Sequence, residues 1–131
     1  KGPNGFGYAV RYGLERFSGD CVAVFMADMS DDPEDLVKYY NTMIEQNVDA
    51  VFGSRWIKGG KVIDYPPVKK IINRVANMII KMFIGIKYND TTNAFKLYKR
   101  ETMEGLKPFL SPHFNLTVEL PLKTIVRGYT Y

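Results

Sequence analysis

The sequence predicts an α/β fold with a mostly parallel sheet flanked by helices, and two observations carry that expectation. Short apolar runs at 21–26 and 49–52 lack the strict alternation of a strand with one wet face, which suits strands covered on both sides. Each run ends in a polar tip and is followed by a segment of helical periodicity, so the order strand, tip, helix repeats, with ligands expected at the carboxyl edge of the sheet. With 131 residues, 46% hydrophobic and 24% charged, the chain is long enough to bury a core as one domain.

The elements follow in order. Val10, Gly13, Leu14 and Phe17 stand at helical spacing before Ser18-Gly19, giving a short helix over 8–17. The apolar run 21–26 then delivers Ala27-Asp28-Met29-Ser30 to its tip. Asp32-Pro33-Glu34-Asp35 opens a helix with an Asp cap, proline in the first turn and acids at the positive end of the dipole. Leu36, Tyr40, Met43 and Ile44 are its expected buried face, and Asn47 its left-handed stop. The run 49–52 reaches Gly53-Ser54-Arg55, and a glycine-rich loop, Lys58-Gly59-Gly60-Lys61, suggests a flap. Beyond Tyr65-Pro66-Pro67, residues Ile71, Ile72, Val75, Ala76, Ile79, Ile80 and Phe83 form one apolar stripe on a basic helix. Such a stripe reads first as core and second as an interfacial face. Asp90-Thr91-Thr92-Asn93 precedes a third strand over 94–98, a short helix at 100–106, and a last helix over 117–127 that tolerates Pro121 only near its first turn.

Charge is unevenly spread. The net charge is +4, yet residues 55–87 hold eight basic side chains against the single acid Asp64. A concentrated basic segment implies an anionic partner: phosphate, a membrane surface or nucleic acid. Aromatic residues do not interleave with these charges as a base-stacking surface requires, which argues against nucleic acid. One cysteine, Cys21, excludes a disulfide framework and favours a cytoplasmic address. No run approaches the roughly 18 apolar residues of a membrane span.

Four blocks, in this order and spacing, resemble glycosyltransferase family 2, in its branch of dolichyl-phosphate mannose synthases and bacterial polyprenyl-phosphate sugar transferases. They are Asn4-Gly-Phe-Gly-Tyr-Ala-Val-Arg-Tyr-Gly13 with Gly19-Asp20, Ala27-Asp-Met-Ser-Asp-Asp-Pro33, Gly53-Ser-Arg-Trp56 with Gly59-Gly60, and Asp90-Thr-Thr-Asn-Ala-Phe-Lys96. The resemblance implies a truncated GT-A fold in which residues 1–131 are the central and C-terminal part of one catalytic domain. It implies an inverting transfer from a nucleotide-sugar donor to a polyprenyl phosphate at the cytoplasmic, inner face of a membrane, with the isolated chain inactive. A saccharide acceptor, or a non-catalytic anion- or membrane-binding module, is the alternative.

The resemblance also implies roles. Asn4, Arg11, Asp28, Gly53, Ser54 and Arg55 would bind donor, with Asp28 holding Mg or Mn against the diphosphate. Met26 stands where the family pattern has its first acid, which also admits a pseudo-enzyme; Asp31 and Asp32 read as helix caps. Lys69, Arg74, Asn77 and Thr92 would line the acceptor phosphate path. Arg55 and Asp90 are the catalytic candidates: Arg55 as a bidentate phosphate clamp, and Asp90 as general base for a hydroxyl acceptor or, for a phosphate acceptor, to orient the sugar or hold Arg and Lys side chains. Glu119 matches a frequent family acid, and His113 reads as structural.

Overall fold

The computed structural model describes residues 4–58, 60 and 66–131. Helix α1 (Phe6–Leu14) leads to strand β1 (Cys21–Val24), helix α2 (Pro33–Glu45), strand β2 (Ala50–Phe52), helix α3 (Pro67–Ile84), strand β3 (Lys96–Lys99), helix α4 (Arg100–Gly105) and helix α5 (Leu116–Val126). The expected elements form, with ends moved by a few residues. Asp32 caps α2 by accepting from Glu34 N at 2.9 Å, Pro33 opens the helix, and Asn47 turns left-handed at φ 48°.

The expected parallel sheet does not form among the described residues. The strand order is β1-β3-β2, and both pairings are antiparallel. Strands β1 and β2 therefore run the same way, with β3 inserted between them in the opposite sense. Apolar runs report how much of a strand is covered and carry no information on direction, so the sequence pattern suits either arrangement. The reversal decides where the chemistry goes. Val24 and Phe52 both pair with Lys96, so the carboxyl ends of β1 and β2 and the amino end of β3 share one edge. Had β3 been parallel, the 90–93 block that precedes it would lie at the opposite edge.

The core lies on one face of this sheet. Leu14, Ala50, Tyr98, Met103, Leu106, Phe109, Leu116 and Leu120 form a buried cluster. On the other face Tyr39 of α2 stacks on Phe95, ring centroids 4.6 Å apart. The inward face of α2 is therefore Leu36, Tyr39 and Met43; Tyr40 and Ile44, expected inside, are exposed. Gly53 leaves room for Tyr39: a Cβ there would lie 1.5 Å from the Tyr39 hydroxyl and would displace the end of that side chain.

Helix α3 is oriented against expectation. Its apolar stripe has the anticipated spacing, but Val68, Ile71, Ile72, Val75, Met78, Ile79, Met82 and Phe83 are all exposed, Phe83 at 80%. The inward positions are Asn73, Ala76, Asn77 and Ile80, with Asn77 buried. Amide hydrogen bonds rather than apolar packing dock this helix, and periodicity identifies a face without saying what it meets. Pro121 lies well inside α5 rather than near its first turn. Its missing N–H strips Thr117 O of a helical partner, and Lys96 Nζ lies 3.4 Å from that oxygen in its place.

These two kinds of apolar residue should separate in urea unfolding. We expect Leu120→Ala to cost about 2–5 kcal/mol by leaving a core cavity. Ile72→Gln should change stability by less than about 0.5 kcal/mol. A loss at Ile72 as large as at Leu120 would show that the α3 face is packed.

Candidate functional site

Three chain segments meet at the shared sheet edge: the 27–32 tip after β1, the 53–57 tip after β2, and the 88–93 segment before β3. Gly53 is the anchor between two of them. Its carbonyl accepts from Tyr88 Oη at 2.8 Å and from Asn93 Nδ2 at 3.2 Å, while Ser54 Oγ donates to Asn89 Oδ1 at 2.6 Å. Gly60 lies against the Arg55 backbone, where a Cβ would stand 2.8 Å from the Arg55 carbonyl oxygen. Gly59 and residues 61–65, with the rest of the expected flap, lie outside the described residues.

Arg55 and Asp90 form the centre. Asp90 has no solvent exposure, and its Oδ2 accepts from both Arg55 N and Arg55 Nε at 2.9 Å. Its Oδ1 accepts from Arg55 Nη2 at 2.6 Å, completing a bidentate pair. Of the three roles anticipated for Asp90, this geometry suits the holder of a cation: a general base or a sugar-orienting group needs a carboxylate that its substrate can reach. The Arg55 side chain keeps 25% of its exposure, so the pair fixes an arginine at the rim rather than burying it.

Thr92 and Asn77 were expected at the acceptor; both bond to the scaffold, and Asn77 also lines the cavity beside Trp56. Thr92 Oγ1 lies 2.8 Å from Asn73 Nδ2, 3.1 Å from Asn77 Nδ2 and 3.3 Å from Arg55 Nη2. Three donors exceed the two lone pairs of a hydroxyl, so the longest contact, to Arg55, is the weakest. Asn77 is buried, and its Oδ1 accepts from Thr91 Oγ1 at 2.7 Å. These amides tie α3 to the loop that carries Asp90.

Outside the pair, cations gather around one ring. Arg55, Lys70 and Arg74 approach the Trp56 ring centroid to 5.5, 5.9 and 5.6 Å. A surface cavity of about 300 Å³ opens beside them, lined by Trp56, Arg74, Val75, Asn77, Met78, Lys81 and Asn89. One wall is cationic and another apolar. Lys69 is exposed on the first turn of α3. A larger cavity, about 380 Å³ among Asp20, Tyr40, Lys99 and Arg100, lies at the other end of the sheet and includes none of the tips.

The acidic tip is less closed. Asp28 is exposed; bonds from Ser30, including Ser30 N at 3.0 Å on its Oδ1, hold its carboxyl below the usual range. Met29 between them adopts φ 62°, unusual for a residue with a long side chain. Asp31, expected as a cap, is half-buried and accepts from Met26 N at 3.1 Å on its Oδ2. Burial raises its carboxyl, the neighbouring Asp28 charge adds to that, and Arg55 opposes it. The exposed Asp28 carboxylate is the kind of oxygen donor that a hard cation takes together with phosphate and water. Among the described residues no group of three or more His, Cys, Asp or Glu forms a protein cage for a metal.

Asn4 and Arg11, expected at the donor, belong to the α1 region and form no hydrogen bond to Arg55 or Asp90 among the described residues. Helix α1 packs on the 112–114 turn, where Phe6 meets Phe114 at 5.2 Å. Glu119 braces a neighbouring loop, accepting from Leu110 N at 2.9 Å and Ser111 N at 2.7 Å. Burial would raise its carboxyl, but these bonds and Lys123 outweigh it and bring it to about 2. Asp31, Asn73 and Lys96 were not anticipated. Asn73 could have been found from its spacing, four residues before Asn77 on one helix face.

The model of the family described as glycosyl transferase family 2 matches residues 1–106. The chain belongs to that family. Among curated proteins, this family 2 chain is 28% identical over 120 residues to the undecaprenyl-phosphate mannosyltransferase of Micrococcus luteus, covering 90% of the chain and 48% of the relative. It is 29% identical over 122 residues to the polyprenol monophosphomannose synthase of Mycolicibacterium smegmatis, covering 91% and 45%. It is 32% identical over 124 residues to the dolichol-phosphate mannosyltransferase of Pyrococcus furiosus, covering 91% and 34%. The chain thus spans about half or less of the length of these relatives.

Removing the Asp90 carboxylate deletes the three hydrogen bonds that join the β2 tip to the segment before β3. Asp90→Ala should cost about 3–5 kcal/mol in urea unfolding. Lys69→Ala, on the exposed turn, should stay within about 0.5 kcal/mol. An Asp90→Ala loss as small as that would mean the pair does not hold the tips together.

Proposed function

We propose that the whole protein is an inverting glycosyltransferase with a GT-A fold that moves a sugar from a nucleotide-sugar donor to a polyprenyl phosphate. The observation that carries this reading is the junction of a cationic cluster, Arg55, Lys70 and Arg74 around Trp56, with the exposed apolar stripe of α3 through the cavity wall at Val75 and Met78. A polyprenyl phosphate has the matching division: an anionic head and an apolar tail. The three relatives, each named for a polyprenyl-type phosphate or polyprenol, support it.

The reaction is a direct displacement. An acceptor phosphate oxygen attacks the anomeric carbon as the bond to the donor diphosphate breaks, and the electron pair leaves with the diphosphate. The acceptor is already an anion, so no base is required, in keeping with an Asp90 whose two oxygens are engaged by Arg55. Arg55 steadies phosphate charge at the rim, and Lys70 and Arg74 hold the acceptor head. A Mg or Mn ion held at Asp28 with the help of Asp31 would supply charge neutralisation at the leaving diphosphate. The saccharide-acceptor alternative needs a proton acceptor, and the buried Asp90 does not suit that task.

The same helix supports contact with a membrane surface, which in this reading is the inner, cytoplasmic face. Val68, Ile72, Ile79 and Phe83 would enter the headgroup region while Lys69, Lys70 and Lys81 meet anionic lipid. No helix among the described residues is long and apolar enough to cross a membrane.

The test is transfer by the whole protein from a panel of nucleotide sugars, with polyprenyl phosphate in anionic vesicles or free saccharides as acceptor, with Mn or a chelator. We expect Mn-dependent transfer to the lipid alone, reduced on the order of tenfold or more in kcat/KM by joint Lys70→Ala and Arg74→Ala. Transfer to saccharides that ignores both substitutions would contradict the lipid reading. No transfer from any donor would favour a non-catalytic anion-binding module.

A further inference from the structure

Lys96 is the one charged residue of the 90–96 block that the reaction above does not use, and its placement is unusual. Its side chain has no solvent exposure on the middle strand of the sheet, at the register where both flanking strands end. Burying an ammonium is costly, and a methionine of similar length would fill the same space without that cost. The seat is nonetheless built for a cation. Lys96 Nζ donates to Thr91 O at 3.2 Å and to Thr117 O at 3.4 Å, and sits 5.7 Å from the Tyr88 ring centroid. Thr117 O is available because Pro121 lacks the N–H that would otherwise take it. Thr91 O belongs to the residue next to Asp90.

We propose that Lys96 is a positioning residue for the Arg55 phosphate clamp, pinning the Asp90 loop to α5 through the Thr91 and Thr117 carbonyls and adding a buried positive charge near the Asp90–Arg55 pair. With Lys96 charged, one buried carboxylate faces two cations, and the rim arginine presents positive charge outward to a phosphate. With Lys96 neutral, the Asp90 charge falls on Arg55 alone and the field at the rim weakens. The inference rests on the lipid-phosphate reading above.

The groups that face the ammonium are Asp90 before the strand, Arg55 at the β2 tip, the Tyr88 ring and the Thr117 carbonyl of α5. Burial lowers the Lys96 amine from 10.5 to about 7, with Asp90 opposing that shift and Arg55 adding to it. In the folded protein the charge is therefore present below about pH 7 and is lost as pH rises through it. An unfolded chain keeps the proton up to about 10.5, so the charged form opposes folding most strongly below pH 7.

Two measurements on the whole protein test this. The first is calorimetric binding of farnesyl phosphate, a soluble probe of the acceptor head, from pH 6 to pH 8.5. The ratio of Kd for Lys96→Met to that of wild type, which cancels the ionisation of the probe itself, should be about tenfold at pH 6 and fall towards one at pH 8.5. Lys96→Gln, which keeps hydrogen-bonding capacity without charge, should follow the same trend. The second is the difference in Tm between variant and wild type, which should grow more favourable to Lys96→Met as pH falls from 9 to 6. A variant that binds more weakly while its relative stability improves is incompatible with a merely structural lysine. A ratio that is flat with pH, or close to one throughout, overturns the proposal while leaving the lipid reading intact. A wild-type protein that binds no farnesyl phosphate at any pH overturns that reading, and the proposal with it.

Discussion

Asp90 is a carboxylate with no access to water, so its charge must be met by the protein. Arg55 meets it with a main-chain N–H and two guanidinium N–H groups, and much of the surrounding structure exists to let it do so. The pair joins the tip after β2 to the segment before β3. That junction is possible because β3 runs antiparallel between its neighbours and brings its amino end to the edge where β1 and β2 finish. Gly53 then allows Tyr39 beneath the tip, Asn73 and Asn77 fasten the Asp90 loop to α3, and Lys96 fastens it to α5.

The same constraint shapes α3. Because its inward positions carry amides that serve the loop, its apolar side chains have no place in the core and face solvent. A soluble helix seldom leaves a continuous stripe of this kind uncovered. Here the stripe begins beside the basic cluster around Trp56, so a single helix carries both a surface for an apolar tail and side chains for an anionic head. On the proposed function, recognition of an amphiphilic phosphate and contact with a membrane surface would both draw on this one docking geometry.

Much of this was legible in the sequence. Asp32-Pro33 announced the start of α2 and Asn47 its left-handed end, and Asp28, Arg55 and Asp90 were read at strand ends, where the structure has them and pairs Arg55 with Asp90. What was not legible depended on contacts distant in sequence. The run 94–98 reads the same in either strand direction, so the antiparallel insertion was invisible. The stripe from Ile71 to Phe83 was read first as core and second as an interfacial face; most of it is exposed while Ala76 and Ile80 turn inward, because only the docking of Asn73 and Asn77 to Thr91 and Thr92 fixes which side faces the loop. Asp31 passed for a cap because Asp32 beside it is one, and Lys96 passed unnoticed because a lysine in a strand is usually exposed.

The claim on which the rest turns is that Asp90 acts through Arg55 rather than on substrate. A double-mutant cycle on kcat/KM for transfer by the whole protein, using Arg55→Gln, Asp90→Asn and the combination, addresses it directly. If Asp90 serves only to hold Arg55, the combined variant should be little worse than Arg55→Gln alone. Losses that multiply across the two substitutions would show that Asp90 touches the reaction independently and would contradict the assignment.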